Sequence, residues 1–277
     1  MSDDLNIYEP NSSASMTWNA IFLDIWQGLK LWRIWKALSW QEFSAAYRRS
    51  YIGILWVLAS FAGFVFVKLI IFSSLITSED GKAYNVYLTL GLYVWIYLLL
   101  VVNSAPATFT GAQGWIRSEA LPLSLYVFKN ILRELYNLSL TFLVVIAAMF
   151  YIGFVPAMTS AYALLAVVFY IINAVWIKTL LGIMGARFRD IGHFVNAITL
   201  PMMFLTPIFW LPEQMPELMK YLWWNPFFHY IEIFRAPILT GSFPVESWIF
   251  VMGLFGIGWA ATIALFAHFH KRIVFWL

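Results

Sequence analysis

LYNLSLTFLVVIAAMFYIGFVPAMTSAYALLAVVFYIINAVWI, residues 135–177, runs from Glu134 to Lys178 without one charged side chain. A helix crosses the hydrocarbon core of a bilayer with about 20 apolar residues, so the tract is too long for a single crossing. Gly153-Phe154-Val155-Pro156 interrupts it near its middle, and glycine and proline are the strongest local breaks in a helical pattern. The stretch therefore reads as two spans joined by a tight hairpin. Working outward, Lys82 to Arg117 and Glu246 to Lys271 enclose uncharged tracts of the same kind. In all, 62% of the 277 residues are hydrophobic and only 11% charged, where a soluble domain carries roughly 25% charged residues.

The expected fold is all-α and membrane-integral. Six transmembrane helices are placed at 51–76, 84–110, 128–152, 160–183, 191–210 and 247–270. One transmembrane domain then occupies 1–277: a polar tail at 1–17, an N-terminal amphipathic interface helix at 18–40, and a six-span core at 51–270 whose segment 211–238 is re-entrant. Met1 to Thr17 lacks the basic-then-apolar pattern of a cleaved leader, so the first long apolar segment is expected to remain as a span.

Orientation follows from the cations, because Lys and Arg flanking spans stay on the cytoplasmic side. With the N-terminus inside, Lys30, Arg33, Lys36, Arg48, Arg49, Arg117, Lys129, Arg133, Arg187, Arg189, Lys271 and Arg272 fall inside, and only Lys82, Lys220 and Arg235 fall outside. Both termini are thus expected in the cytoplasm. The net charge of +3 is accounted for by this asymmetry, and nucleic acid is not an expected partner. Without cysteine there is no disulfide framework and no thiol chemistry.

Three segments are not simple spans. In 18–40, Ile21, Phe22, Ile25, Trp26 and Leu29 form one apolar stripe, which shifts phase near Gly28 to Leu31, Ile34, Trp35 and Leu38. Tryptophans beside Lys30, Arg33 and Lys36 suit a helix lying among lipid headgroups, either as an anchor alone or also leaning on a cytoplasmic partner. Between the second and third spans, Gly111 to Pro122 is either a plain connection or a compact amphipathic docking element. From Pro201 to Pro237 the chain concentrates prolines around Leu222-Trp223-Trp224-Asn225-Pro226-Phe227-Phe228-His229-Tyr230. Broken backbone survives at membrane depth only where protein or a water-filled cavity covers it. Short re-entrant helices at the outer mouth of a pathway are expected, with an interfacial aromatic belt as the alternative.

Several chemistries are missing. No Gly-x-x-x-x-Gly-Lys-Ser/Thr phosphate loop occurs, and Gly253, Gly256 and Gly258 are read as close helix packing. His193, His229, His268 and His270 show no metal-ligand spacing. No carboxylate is expected centrally in a span, which argues against ion-driven transport. Lys68 and Lys178 either snorkel to the nearer surface or face a hydrated path.

Tyr47-Arg48-Arg49-Ser50-Tyr51-Ile52-Gly53-Ile54-Leu55-Trp56, then Leu121-Pro122, Asn225-Pro226 and Ile231-Glu232-Ile233-Phe234-Arg235 stand in that order along the chain. Together they resemble the permease subunits of ABC-type exporters of lipid-linked polysaccharide, the O-antigen, capsule and teichoic-acid exporters. These stretches are similar to that family's basic Leu-Gly-x-Leu-Trp entrance to the first span, its coupling segment and its Asn-Pro…Glu-x-x-Arg signature. The resemblance runs over about 20–272. It implies a homodimer in the bacterial inner membrane, two copies of a separate ABC ATPase that binds ATP and Mg, and no cofactor or catalytic residue in this chain.

By position, Gln113, Trp115, Arg117 and Glu119 would belong to a coupling helix, and Arg48, Arg49 and Trp56 to a cytoplasmic entrance. Trp210, Trp223, Trp224, Phe227, Phe228, Tyr230, Glu232 and Arg235 would form the outer gate and polymer path. The competing readings are a permease for a small hydrophobic or lipid cargo, a membrane-embedded glycosyltransferase, and a structural scaffold.

Overall fold

The computed structural model describes residues 19–73 and 81–277, and every element among them is helical. The expected polar tail, the first residue of the interface helix and the last three of the first span lie outside the described residues. In chain order the helices are α1 (Ala20–Lys30), α2 (Trp32–Ala46), α3 (Leu55–Ser73), α4 (Gly81–Ser104), α5 (Gln113–Ser118) and α6 (Leu123–Ile152). They continue with α7 (Ala163–Arg187), α8 (Asp190–Leu205), α9 (Pro216–Leu222), α10 (Pro226–Leu239), α11 (Val245–Phe269) and α12 (Ile273–Trp276).

Helices stand at all six expected positions. Four stretches, Gly81–Ala107, Leu123–Ile152, Met158–Arg187 and Val245–Trp276, are long and apolar enough to cross a membrane, and Leu55–Ile71 is a shorter apolar helix. Helix α8 is shorter than expected: its backbone becomes extended at Thr206 (ψ 133°), five residues after Pro201. The hairpin between α6 and α7 forms where glycine allows it. Gly153 ends α6 at φ 72°, a left-handed conformation that costs a glycine little.

Helix α4 is the axis of the packing. Of its most apolar window 72% is buried, against 22–39% for the other three long stretches, and α3, α6, α7, α8 and α10 all pack on it. Gly258 of α11 allows close approach to α7, since a Cβ there would fall 2.6 Å from the Trp176 ring. Gly253 and Gly256 meet nothing of this kind, so the close-packing expectation holds for one of the three.

The interface segment is two helices rather than one. Leu31 breaks it, with its N–H on the Gly28 carbonyl at 3.2 Å, three residues after the expected phase shift, and α2 continues to Ala46. Both helices lie against α6. The cations assigned to one side do gather at one end of the bundle, on α1 and α2, α5, the start of α6 and the ends of α7 and α11.

The absence of a central carboxylate needs correcting. Glu134, inside α6, is buried and accepts from Lys178 Nζ at 2.6 Å and from the Ser104 hydroxyl at 2.7 Å. Lys178 therefore neither snorkels nor faces a path: its side chain is 0% exposed, and it joins α7 to α6 and α4. Lys68 is half-buried, with its ammonium over the rings of Phe209 (4.8 Å) and Phe64 (5.5 Å).

Candidate functional site

After α8 the residues Thr206 to Phe209 are buried without being helical. Their carbonyls cannot be left unpaired away from water, and side chains from two helices meet them. The Tyr87 hydroxyl donates to Pro207 O at 2.7 Å and lies 3.1 Å from Trp210 O, and Tyr84 donates to Phe209 O at 2.7 Å. Arg235 donates to Pro207 O at 2.9 Å and to Glu232 at 2.7 Å, while its guanidinium lies 3.7 Å from the Tyr87 ring centroid. Nothing in the residue pattern marked Tyr84 and Tyr87 beforehand; the clue was a pair of tyrosines three apart on an apolar helix, one face of α4.

Helix α10 starts deep in the bundle. Asn225 caps it, accepting from Phe227 N–H at 3.0 Å and donating to the Thr206 hydroxyl at 2.9 Å. Phe227 packs on Trp95, halfway along α4, at 5.1 Å between ring centroids. Both His229 ring nitrogens are engaged, with Ser247 Oγ at 3.0 Å and Trp223 O at 2.7 Å. Tyr230 donates to Asn173 Oδ1 at 2.7 Å, and its own carbonyl accepts from Tyr170.

These contacts divide the expected gate residues. Trp224 is exposed and leans on Phe250, and Trp223 is exposed at the edge of Phe228 and His229. Trp210, Phe227 and Glu232 are half-buried, and the Trp210 indole donates to Phe204 O. Phe228, Tyr230 and Arg235 are buried and turned into the protein, where they hold α10. The structure joins Glu232 to Arg235 and Trp223 to Phe228, and Trp210 meets Arg235 only by way of Tyr87 among the described contacts.

At the basic end, α5 rests on buried Ala112 and Ile116 and exposes Gln113, Trp115, Arg117 and Glu119. The chain then turns through Pro122 into α6, whose first amides find their acceptor in another helix. Asp24 of α1 accepts from Leu123 N–H at 2.9 Å and Ser124 N–H at 2.7 Å, and the Ser124 hydroxyl donates back to Asp24 O at 2.6 Å. Burial pushes the Asp24 carboxyl above the usual carboxylate range, against the lowering effect of the hydrogen bonds from Ser124 and Leu123. Glu42 of α2 makes the second clamp, 2.5 Å from Lys129 and 3.4 Å from Arg133.

Arg48, Arg49 and Trp56 are exposed beyond α2. Arg49 takes φ 70°, and the Trp56 indole donates to Ser50 Oγ at 3.1 Å.

The profile of the ABC-2 type transporter family matches residues 33–239, a range that takes in all but the first residue of the clamped helix α2, and the whole of α5 and α10. The chain belongs to the ABC-2 type transporter family. This ABC-2 chain is also similar to two Klebsiella pneumoniae proteins, each described as "O-antigen export system permease protein RfbA". Identity is 24% and 23% over 235 residues, covering 83% of this chain and 88% of each relative. As a family member it is the multi-pass membrane component of an ABC transporter.

Proposed function

We propose that this chain is the six-span permease of an ATP-driven exporter that moves lipid-linked polysaccharide, of O-antigen or capsule type, across the bacterial inner membrane. The observation that carries the reading is α5. It is a six-residue helix, seated by Ile116, that presents Trp115, Arg117 and Glu119 outward at the end where the cations gather. The similarity to O-antigen export permeases supports the cargo class.

In this reading both termini are cytoplasmic, two copies of the chain enclose the path, and two copies of an ABC ATPase bind ATP and Mg below it. ATP binding in the partners pushes on α5. The push passes through Leu121-Pro122 into α6, and from there through the Asp24 and Glu42 clamps into α1 and α2. Trp223 and Trp224 guide the polymer at the far end, since sugar C–H faces rest on aromatic rings. The Glu232–Arg235 pair keeps the helix behind them in place.

The test is co-expression with the ATPase partner, reading ATP turnover and surface polysaccharide for the native chain and for Trp115→Ala with Arg117→Glu. Loss of both signals in a complex that still assembles supports the reading; unchanged export overturns it. Burial of Phe228 and Tyr230 favours one second reading, a small hydrophobic or lipid cargo, because it reduces the exposed aromatics of α10 and its approach. Under that reading Trp223→Ala and Trp224→Ala leave polymer export intact.

A further inference from the structure

Apart from the segments above, α3, α4 and α6 enclose a cavity of about 420 Å³. This lies within the roughly 300–1,000 Å³ range of small-ligand sites. It opens at Trp56 and Ser60, both exposed, and reaches inward along Phe61 and Phe64 to Tyr97 and Asn137.

Two kinds of surface meet there. Trp56, Phe61 and Phe64 supply aromatic faces along one helix. Opposite them stand polar atoms with unused hydrogen-bonding capacity among the described residues. Tyr97 contributes its ring to the wall, while its hydroxyl is shut off from the cavity. Asn137 spends its amide N–H on Arg133 O at 3.1 Å, which leaves its carbonyl oxygen open, and the Ser60 hydroxyl stands at the mouth.

An acyl or polyprenyl chain offers nothing to these groups, and a polar group covered by hydrocarbon without a hydrogen bond is costly. A sugar ring satisfies both surfaces, with its C–H face on the aromatics and its hydroxyls toward Asn137 and Ser60. We infer that this cavity is a binding site for a single pyranose residue of a glycan. The inference rests on the polysaccharide-export reading and adds to it a discrete sugar pocket within one protomer, beside the entrance residues Arg48 and Arg49.

The chain contains no cysteine, so Ser60→Cys places a unique thiol at the mouth. The full chain carrying it is reconstituted in phosphatidylethanolamine–phosphatidylglycerol vesicles without its ATPase, and the rate of maleimide labelling is followed. The probes are the acid-released surface polysaccharide of the source cells and, separately, polyprenyl phosphate. The expected result is severalfold slower labelling with the polysaccharide and none with polyprenyl phosphate. Adding Asn137→Leu raises the half-protecting concentration about two- to tenfold, the worth of one net hydrogen bond. Labelling of the ligand-free variants serves as the folding control.

Labelling unaffected by polysaccharide overturns the inference, and protection by polyprenyl phosphate alone assigns the cavity to lipid and overturns it as well. Because the ATPase is absent, a failure here is separate from a failure of the α5 test, which reads coupling.

Discussion

Pro207 and Trp115 both sit where the chain stops being a span, and they are held in opposite ways. Around Pro207 two tyrosines of α4 and an arginine of α10 satisfy the carbonyls of Pro207, Phe209 and Trp210. Around Trp115 only Ala112 and Ile116 are buried, and the outward side chains of α5 are exposed. The first arrangement fixes a conformation that the backbone alone would not keep in a membrane. The second leaves a surface exposed. The interruption after α8 is thus tied down by side chains, and α5 keeps an exposed face.

The largest effect should come from Arg235→Leu, which takes one of two donors from Pro207 O and removes the buried guanidinium from the Glu232 carboxylate and the face of Tyr87. Removing one partner of a buried charge pair costs about 3–5 kcal/mol, so the detergent-solubilised variant should lose most of its thermal stability when unfolding is followed by tryptophan fluorescence. Arg235→Lys should recover little, because an ammonium cannot replace a planar fork that also stacks. Native-like melting of Arg235→Leu would show that the Pro207 turn holds on its tyrosine bonds alone. Lys178→Met should come next, since it leaves Glu134 buried without its counter-charge. Pairing it with Glu134→Leu should recover much of the loss, as well-packed apolar replacements of buried pairs are often near neutral. A double variant as unstable as the single one would mean that the Ser104 contact, not the ion pair, is what α4, α6 and α7 share.

Four of the spans were legible in the sequence because a bilayer imposes one demand on length and polarity, and uncharged tracts with Gly153 and Pro156 between them answer it directly. Tertiary polar pairing was less legible. Glu134 and Lys178 bound the opening tract at positions nearly equidistant from the hairpin, so folding at Gly153 brings them level; charge alone, read one span at a time, hides this. The Asp24 cap was hidden for a related reason, since its carboxylate serves amides 99 and 100 residues away. The gate residues were named as a run, yet α10 has a buried face, and which of Phe227, Phe228 and Tyr230 turns inward depends on α4 and α7. Leu31 escaped because the periodicity of 18–40 shows a phase shift but not the residue that bends.

Asp24 tests the boundary between the two regimes, for it joins the exposed end to a span. Asp24→Ala should cost about 1–2 kcal/mol, the range for losing an N-terminal cap, and Asp24→Asn less, because one oxygen still accepts. A cost near that of Arg235→Leu would place the α1 clamp among the rigid elements.

The smallest stability effect should come from Trp115→Ala. An exposed side chain away from buried contacts changes stability by no more than about 0.5 kcal/mol, and Trp115 touches neither clamp nor core by any hydrogen bond of its side chain. Its melting curve should therefore overlay that of the native chain. In the assembled transporter the same variant should lower polysaccharide-linked ATP turnover, which separates contact from stability in one residue. If Trp115→Ala instead melts early, α5 is part of the packed structure, the contrast with Pro207 disappears, and a push on α5 would have to deform the bundle rather than tilt a helix seated on Ile116.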